Sequence, residues 1–409
     1  MKTVAILSTL DTKGRETAYL RDQIEKLGAK ALLFDIGVVG TPGVEADVTR
    51  GAIADAGGTP LSEILTNPTR QAASPVMVRG ATALLADRIA QGTVHAVVGL
   101  GGTQGTSNCT QIMRSLPYGF PKLMVSTVAS GDTSAYVDIK DITMMFSVSD
   151  ILGLNPLTRK ILANAAGAAW GMACCEVTLE DRHGDKPVVG MTNLGVLTEG
   201  AMKAMEYFEA AGYEVIVFHA VGSGGRAMEQ MMKDGIIGAV FDYALGEISD
   251  EIFHGLRAGG PERLTVAGTL GLPQVLCPGG AEHIGLMVEP NTVPDAYRDH
   301  AHVFHNPIIF APRLDADQMR KVAREIANRL GTTTGNACFM VPTLGHSRYA
   351  VEGGPLHDPV ADDAFLDELK TCLPGHIELV ERKTHAEDPA FVKEAVDRLI
   401  AMIEAGGTA

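Results

Sequence analysis

Small and hydroxyl-bearing residues are concentrated at positions 99–107, where the chain reads GLGGTQGTS. An apolar run over 94–100 leads into them and predicts a buried parallel strand, and residues 108–116 are compatible with a helix. Glycines let the backbone approach a phosphate closely, and free N–H groups at the start of a helix attract its charge. Thr103, Thr106 and Ser107 would add hydroxyl donors. The segment therefore predicts an anion-binding loop for a phosphorylated small molecule.

The loop matches neither of the standard phosphate-binding fingerprints. A P-loop ends in Gly-Lys-Ser/Thr, and no lysine lies between Val94 and Pro121. In the dinucleotide pattern G-x-G-x-x-G, Gly99 and Gly101 would be followed by a glycine at 104, whereas this chain has Gly105. A tight strand-to-helix turn without a ligand is therefore the alternative interpretation.

Polar residues also follow the other strands that we predict in the first half. Ligands of open α/β sheets lie at the carboxyl ends of strands, so Asp11, Thr12 and Lys13, after a strand at 4–9, are candidates. Lys13 is the expected phosphate partner. Asp11, Asp35 or Asp132 would hold Mg²⁺ or ribose hydroxyls. A helix cap or a turn is the alternative for each of these aspartates.

The second half contains a similar polar strand end and small-residue turn. His219 ends a predicted strand, and Gly222, Gly224 and Gly225 follow it. Arg226 would clamp a phosphate or carboxylate through two parallel hydrogen bonds, or else be an ordinary solvated charge. These residues predict a second ligand-contacting turn.

Histidines form a third group of candidates. His302 and His305 are spaced i, i+3, and His283 precedes them. Such a set would hold zinc, although no H-E-x-x-H motif is present. His305 is alternatively an acid or base, because the imidazole pKa lies near neutrality. We therefore assign catalytic roles to His219, Arg226 and His305, and no metal site.

The elements that must position these residues follow a repeated pattern. A strand at 4–9, a helix at 15–27 and a strand at 31–35 recur as 188–192, 198–211 and 215–218, and Phe34 aligns with Phe218 at an offset of 184 (218 − 34). We predict an α/β fold of two Rossmann-like, doubly wound lobes with mainly parallel sheets and an inter-lobe cleft. The lobes would span 1–182 and 183–409. A glycine-rich excursion at 37–60 is too long for a plain connection and predicts a functional or interface segment.

Composition limits the classes of function. The 409 residues are 46% hydrophobic and 20% charged, with a net charge of −15. That balance argues against binding to nucleic acid or anionic membranes. No run approaches the ~18 apolar residues needed to span a bilayer, and the start of the chain shows no signal peptide, so we expect a cytoplasmic protein.

Four motifs together resemble one family. They are TLDTKG at 9–14, VSTVASGD at 125–132, FHAVGSGGRAME at 218–229 and GLPQV at 271–275. They resemble the ATP-binding domain family of the tomato mosaic virus resistance protein and its bacterial relatives, long treated as uncharacterised. The resemblance covers nearly the whole chain. It implies two Rossmann-like lobes, ATP with Mg²⁺ in the first lobe, and self-association as a homo-oligomer. On this chain the implied nucleotide-binding residues are Asp11, Thr12, Lys13, Gly101, Gly102, Thr103, Gly105, Thr106 and Asp132.

Three functions are compatible with these features. The first is an ATP- or phosphate-handling enzyme that acts on a small metabolite in the inter-lobe cleft. The second is a nucleotide-binding regulatory or interaction protein without turnover. The third is a metal-dependent hydrolase or lyase that uses the histidines.

Overall fold

The computed structural model describes residues 1–179 and 185–406. The chain divides into two compact units, Met1–Glu180 and Asp181–Ala409. The lobe boundary predicted at 182 falls within residues 180–184, outside the described residues. No described helix combines the length and the apolar character that crossing a bilayer requires.

The first unit is built on a five-stranded parallel sheet. Its elements are β1 (Thr3–Ser8), α1 (Leu10–Lys26), β2 (Lys30–Asp35), α2 (Arg50–Ala56), α3 (Leu61–Ile64), α4 (Arg70–Ala90), β3 (Ala96–Gly101), α5 (Thr103–Arg114), β4 (Lys122–Ser126), α6 (Ser134–Val137), β5 (Thr143–Phe146) and α7 (Pro156–Ala173). The strand order is β2-β1-β3-β4-β5, with every pair parallel.

Helices cover both faces of this sheet because successive strand residues point to opposite sides. Val4 and Ile6 of β1 pack in one core with residues of α1 and α7. Ala5 and Leu7 pack in another core with residues of α4 and α5. Burial on both faces explains why the strands read as continuous apolar runs.

The second unit contains a six-stranded parallel sheet and a small antiparallel one. Its elements are β6 (Val189–Asn193), α8 (Thr198–Ala210), β7 (Val215–His219), α9 (Ser223–Lys233), β8 (Ala239–Ala244), α10 (Gly246–Phe253), α11 (Val266–Thr269), β9 (Gln274–Gly279), β10 (Leu286–Met287), β11 (His302–Asn306), β12 (Ile309–Pro312), α12 (Ala316–Leu330), β13 (Ala337–Pro342), α13 (Pro359–Cys372), β14 (Glu378–Arg382) and α14 (Pro389–Gly406). The orders are β14-β13-β9-β8-β6-β7 and β10-β12-β11. Residues of α8 and α14 pack on one face of the large sheet, and residues of α12 and α13 on the other.

Both parallel sheets therefore begin with the same doubly wound order. When the strands of each parallel sheet are numbered in chain order, the first five run 2-1-3-4-5. The predicted α/β class with two units built on mainly parallel, doubly wound sheets is confirmed, with the flavodoxin-like strand order rather than the 3-2-1-4-5-6 order of dinucleotide-binding domains. The inter-lobe cleft stays a prediction. The order reverses between β1 and β3 in the first unit and between β6 and β8 in the second.

Two predicted loops in the first unit are wrong because helices extend into them. α5 begins at Thr103 rather than at 108, and α1 begins at Leu10 rather than at 15, with non-helical angles at Lys13. The excursion at 37–60 includes α2, and its start is held in place by Arg50, which donates to the carbonyl oxygens of Val38, Val39 and Gly40.

Candidate functional site

The glycine-rich segment is a one-residue connection between a strand and a helix. β3 ends at Gly101, Gly102 is the N-cap with φ −81° and ψ −157°, and α5 begins at Thr103. A Cβ at Gly101 would lie 2.7 Å from the Cα of Gly105. Gly101 therefore lets the helix pack directly against the strand, which is a structural reason for glycine at this position, and its predicted ligand contact stays a prediction.

The first turn of α5 has open N–H donors. No side chain within the described part of the chain caps this helix. The amide of Thr106 donates to the carbonyl oxygen of Gly102 at 2.8 Å. The earlier amides of Thr103, Gln104 and Gly105 precede any intrahelical acceptor. Since Thr103 and Gln104 are exposed, this end of the helix can receive an anion from solvent.

The sheet topology places the start of α1 at the same edge as the start of α5. β1 and β3 are neighbours, and both helices begin at the carboxyl ends of these strands. This is the switch point at which open α/β sheets bind ligands. Asp11 is half-buried, and its carboxylate lies beside Gly40, where a Cβ would be 3.0 Å from Oδ2. The exposed hydroxyl of Thr12 pairs with that of Thr9 at 2.8 Å.

Lys13 connects α1 to a distant segment of the first unit. Its ammonium group donates to the carbonyl oxygen of Ile151. One turn later, the carboxylate of Glu16 accepts from the amide of Gly153. These two contacts hold residues 151–153 against the start of α1, so the Lys13 side chain already has a main-chain partner.

Thr106 does not lie on the exposed face at the start of α5. Its hydroxyl is fully buried and lies 2.7 Å from the hydroxyl of Ser126, at the end of β4. The prediction that this hydroxyl contacts a ligand is wrong, because the group bridges α5 to the sheet.

Two of the three candidate aspartates have structural partners. Asp35 is buried, accepts from the amides of Leu10 and Gly37, and forms an ion pair with Arg50 at 3.3 Å. Asp132 is exposed and accepts from the amide of Ser134 at 2.9 Å, a hydrogen bond that lowers the pKa of its carboxyl group. Both arrangements match the turn or cap alternative. Asp11 is the remaining candidate for a cation.

The small-residue turn of the second unit is closed by the chain itself. The amides of Gly222 and Gly225 donate to Oε1 of Glu247 at 2.6 and 3.0 Å. A Cβ at Gly225 would collide with the other oxygen of the same carboxylate. An internal carboxylate therefore satisfies the donors of Gly222 and Gly225, which argues against a ligand at these two glycines, whereas ligand contacts by His219 and Arg226 stay a prediction.

Behind that turn lies a buried ionic cluster that sequence reasoning missed. Arg263, which is fully buried, donates to Glu247 at 2.6 Å, to Asp242 at 2.5 Å and to Glu229 at 3.3 Å. Burial raises the pKa of Glu229 to about 7, although Arg263 and the amides of two nearby residues oppose that shift. The four residues are scattered over positions 229–263, and no local pattern signals their association.

The three predicted catalytic residues lie on three different elements. His219 is the exposed last residue of edge strand β7, with Nδ1 3.4 Å from the carbonyl oxygen of Asn193. Arg226 is exposed on α9. His305 is exposed at a register shift of β11, in the small antiparallel sheet.

The histidines do not form the zinc site that we considered. His283 is buried, with Nδ1 3.2 Å from the Glu282 carboxylate and Nε2 3.3 Å from the Arg257 guanidinium. Nδ1 of His302 lies 3.0 Å from the carbonyl oxygen of His300. Across residues 1–179 and 185–406, no group of three or more His, Cys, Asp or Glu side chains could hold a metal ion.

Comparison with solved structures gives only remote similarity. The spinosyn rhamnosyltransferase SpnG is 13% identical, with a TM-score of 0.20 and alignment over 98% of this chain and 96% of that chain. These values carry no inference about a ligand.

Comparison with known sequences identifies the family. A UPF0261 protein of Clostridium tetani is 36% identical over 405 residues, which are 98% of this chain and 99% of that protein. The ToMV susceptible protein tm-1(GCR26) of Solanum lycopersicum is 28% identical over 99% of this chain and 56% of that protein. The N-terminal domain of the Uncharacterised protein family (UPF0261) matches residues 2–178, and its C-terminal domain matches residues 186–403. The resemblance carried by the four motifs is confirmed, and the chain belongs to this family.

Proposed function

We propose that the first unit binds a nucleotide, ATP with Mg²⁺, at the carboxyl ends of β1 and β3. The observation that carries the proposal is the uncapped, solvent-facing N-terminus of α5 at the switch point of the sheet. An anion at such a position is stabilised by the helix dipole and by hydrogen bonds from the first-turn amides.

The donor set fits the phosphates of a nucleotide. The first-turn amides of α5 and the exposed hydroxyl of Thr103 would hold phosphate oxygens, and Gly102 and Gly105 keep side chains away from them. Mg²⁺ is commonly held by one or two carboxylates together with substrate phosphates. Asp11, at the start of the neighbouring helix, would supply such a carboxylate. The metal ion would screen the phosphate charge as the amides fix its position.

Substitution of Gly102 by valine tests the phosphate contact. A Cβ at Gly102 meets only the Thr127 hydroxyl, at 3.6 Å, and φ of −81° suits any residue, so the variant should fold. The branched side chain would occupy space beside the first-turn amides. We expect Mg-ATP affinity to fall at least ~10-fold, about 1.4 kcal/mol. Gly375→Val, at an exposed glycine of the second unit with open space around it, is the matched control. Equal affinities of the two folded variants would refute the site.

ATP turnover distinguishes the two nucleotide-dependent functions. Release of ADP or AMP from Mg-ATP in the presence of a panel of small acids and sugars would establish an enzyme. ATP that stays bound without turnover would favour the regulatory or interaction role. An enzyme acting on a small metabolite, with His219, Arg226 and His305 as its catalytic residues, stays a prediction. Self-association and a cytoplasmic location stay predictions as well.

A further inference from the structure

The helix that begins at the switch point of the second unit already holds an anion. α8 follows β6 as α1 follows β1, in keeping with the offset of 184 residues. The amides of Glu199 and Gly200, in its first turn, donate to Oε1 of Glu387 at 3.0 and 3.4 Å. Glu387 lies between β14 and α14, far away in the sequence. Its carboxylate therefore occupies the position that a ligand anion would take.

A guanidinium group completes the binding of this carboxylate. Arg348 donates to Oε1 of Glu387 at 2.8 Å through Nη2 and to Oε2 at 3.1 Å through Nε. Paired N–H donors of arginine are the usual partners of carboxylates and phosphates. The Glu387 side chain is only 9% exposed, whereas that of Arg348 is 39% exposed. The arrangement is thus an anion site whose occupant belongs to the chain.

The next two helices of this unit are closed in different ways. Glu247 accepts from the turn that opens α9. At the start of α10, the structural counterpart of α5, a Cβ at Gly246 would lie 2.7 Å from the carbonyl oxygen of Gly280 and 3.3 Å from Nη1 of Arg257. α10 has no side-chain cap either, but its first residues Gly246 and Glu247 are buried. In the first unit, Asp35 accepts from the amide of Leu10 at the start of α1, whereas the first turn of α5 is uncapped and exposed.

We infer that Glu387, at the start of α8, and Glu247, at the turn before α9, are internal anions that take the place of a ligand anion. The second unit then has the same fold as the first but does not bind phosphates at these helices. The chain then takes up one nucleotide, in the first unit. The number of nucleotides per chain, one, rests on the proposed function. The role of the internal anions rests only on the contacts of Glu387 and Glu247.

Removal of Glu387 should reopen the site. In Glu387→Ala, the two amides lose their acceptor, and Arg348 keeps only its longer pair with Glu199, at 3.5 Å, so these donors become available to inorganic phosphate. Titration of the full chain with inorganic phosphate, followed by amide NMR, should shift the signals of Glu199 and Gly200 in a saturable manner. Half-saturation should need at least tenfold less phosphate than in the unsubstituted protein. Glu206→Ala removes an exposed carboxylate from the same helix and should behave like the unsubstituted protein.

Two further variants keep the test decisive. Glu387→Gln retains an oxygen acceptor for the amides and should stay closed to phosphate. Glu387→Asp shortens the side chain and should open the site in part, so it replaces the alanine variant if that variant does not fold. An equal phosphate response of the two amides with and without Glu387 would overturn the internal-anion role.

The stoichiometry of ATP binding gives the second readout. Equilibrium dialysis should find one Mg-ATP per chain, and Gly102→Val should weaken its binding at least ~10-fold. Two sites per chain would overturn the inference while supporting nucleotide binding. The absence of any bound ATP would refute the proposed function, and the phosphate titration at α8 would then still decide the role of Glu387.

Discussion

Replacement of Arg263 by methionine would remove the cation from a cluster of three buried carboxylates. Its guanidinium group contacts Asp242, Glu247 and Glu229, and these side chains are at most 4% exposed. Methionine has a similar length and preserves most of the packing, but it offers no hydrogen-bond donor. The carboxylates would then repel one another in a region that water cannot reach.

Removal of one partner from a buried ion pair costs ~3–5 kcal/mol. The lower end applies here, because burial already raises the pKa of Glu229 and of Glu247, and protonation relieves part of the repulsion. We expect a loss of ~3 kcal/mol at pH 8. The loss should be smaller at pH 5.5, since each unit of pKa shift corresponds to ~1.4 kcal/mol between the two protonation states.

Calorimetry combined with hydrogen exchange provides the assay. Exchange of the β8 amides identifies which unfolding transition belongs to the second unit. The Tm of that transition should fall by ~6–12 °C, since 1 kcal/mol shifts Tm by roughly 2–4 °C in a domain of this size. Arg320→Met is the matched control, because its pair with Asp317 is exposed, with side-chain exposures of 42% and 87%. That substitution should cost under ~1 kcal/mol. Equal shifts for the two variants, or a shift for Arg263→Met that does not depend on pH, would refute the reasoning.

Three other predictions follow from individual residues. The pKa of Glu229 is raised from its ordinary 4.5 to about 7. Its contribution to the free energy of unfolding is therefore full below about pH 4.5 and is lost as the pH rises through 7. Urea titrations at several pH values should show a smaller decline for Glu229→Gln than for the unsubstituted protein. The pKa of Glu282 is lowered to about 2: burial opposes this shift, but hydrogen bonds and nearby positive charges outweigh it. Its contribution is therefore present above about pH 4.5 and lost as the pH falls towards 2, and Glu282→Gln should be less acid-sensitive than the unsubstituted protein. Gly101→Ala would place a Cβ 2.7 Å from the Cα of Gly105 and should destabilise the first unit by ~1–3 kcal/mol, whereas Gly102→Ala should leave Tm unchanged within ~1 °C.

Local patterns predicted the elements that bury apolar side chains. The run at 94–100 became the central strand β3, and the first strand–helix–strand unit recurred in the second half as β6, α8 and β7. The Asp315 cap of α12 forms a complete capping box with Gln318, as the D-x-x-Q spacing indicates. Such features are predictable because each depends on residues only a few positions apart.

Local patterns also located the carboxyl ends of the strands, and hence the region of the candidate site. They placed the end of β2 and the start of α8 correctly, but they failed for the starts of α1 and α5. Residues 99–107 read as a loop because glycine and hydroxyl residues favour loops, yet packing of Gly101 against Gly105 allows α5 to begin at Thr103. A contact with the rest of the fold outweighed the local preference.

Residue patterns along the chain were sufficient to predict the doubly wound fold, the repeat and the position of a glycine-rich strand end that can face an anion. The folded structure was needed to show which of the two glycine-rich turns is open. The donors of Gly222 and Gly225 are satisfied by Glu247, more than twenty residues away, and those of α8 by Glu387, nearly 190 residues away. The first turn of α5 has no such partner in the described chain. Hydrogen bonds between distant residues depend on the folded path of the chain, and a single sequence carries no periodic or local record of them.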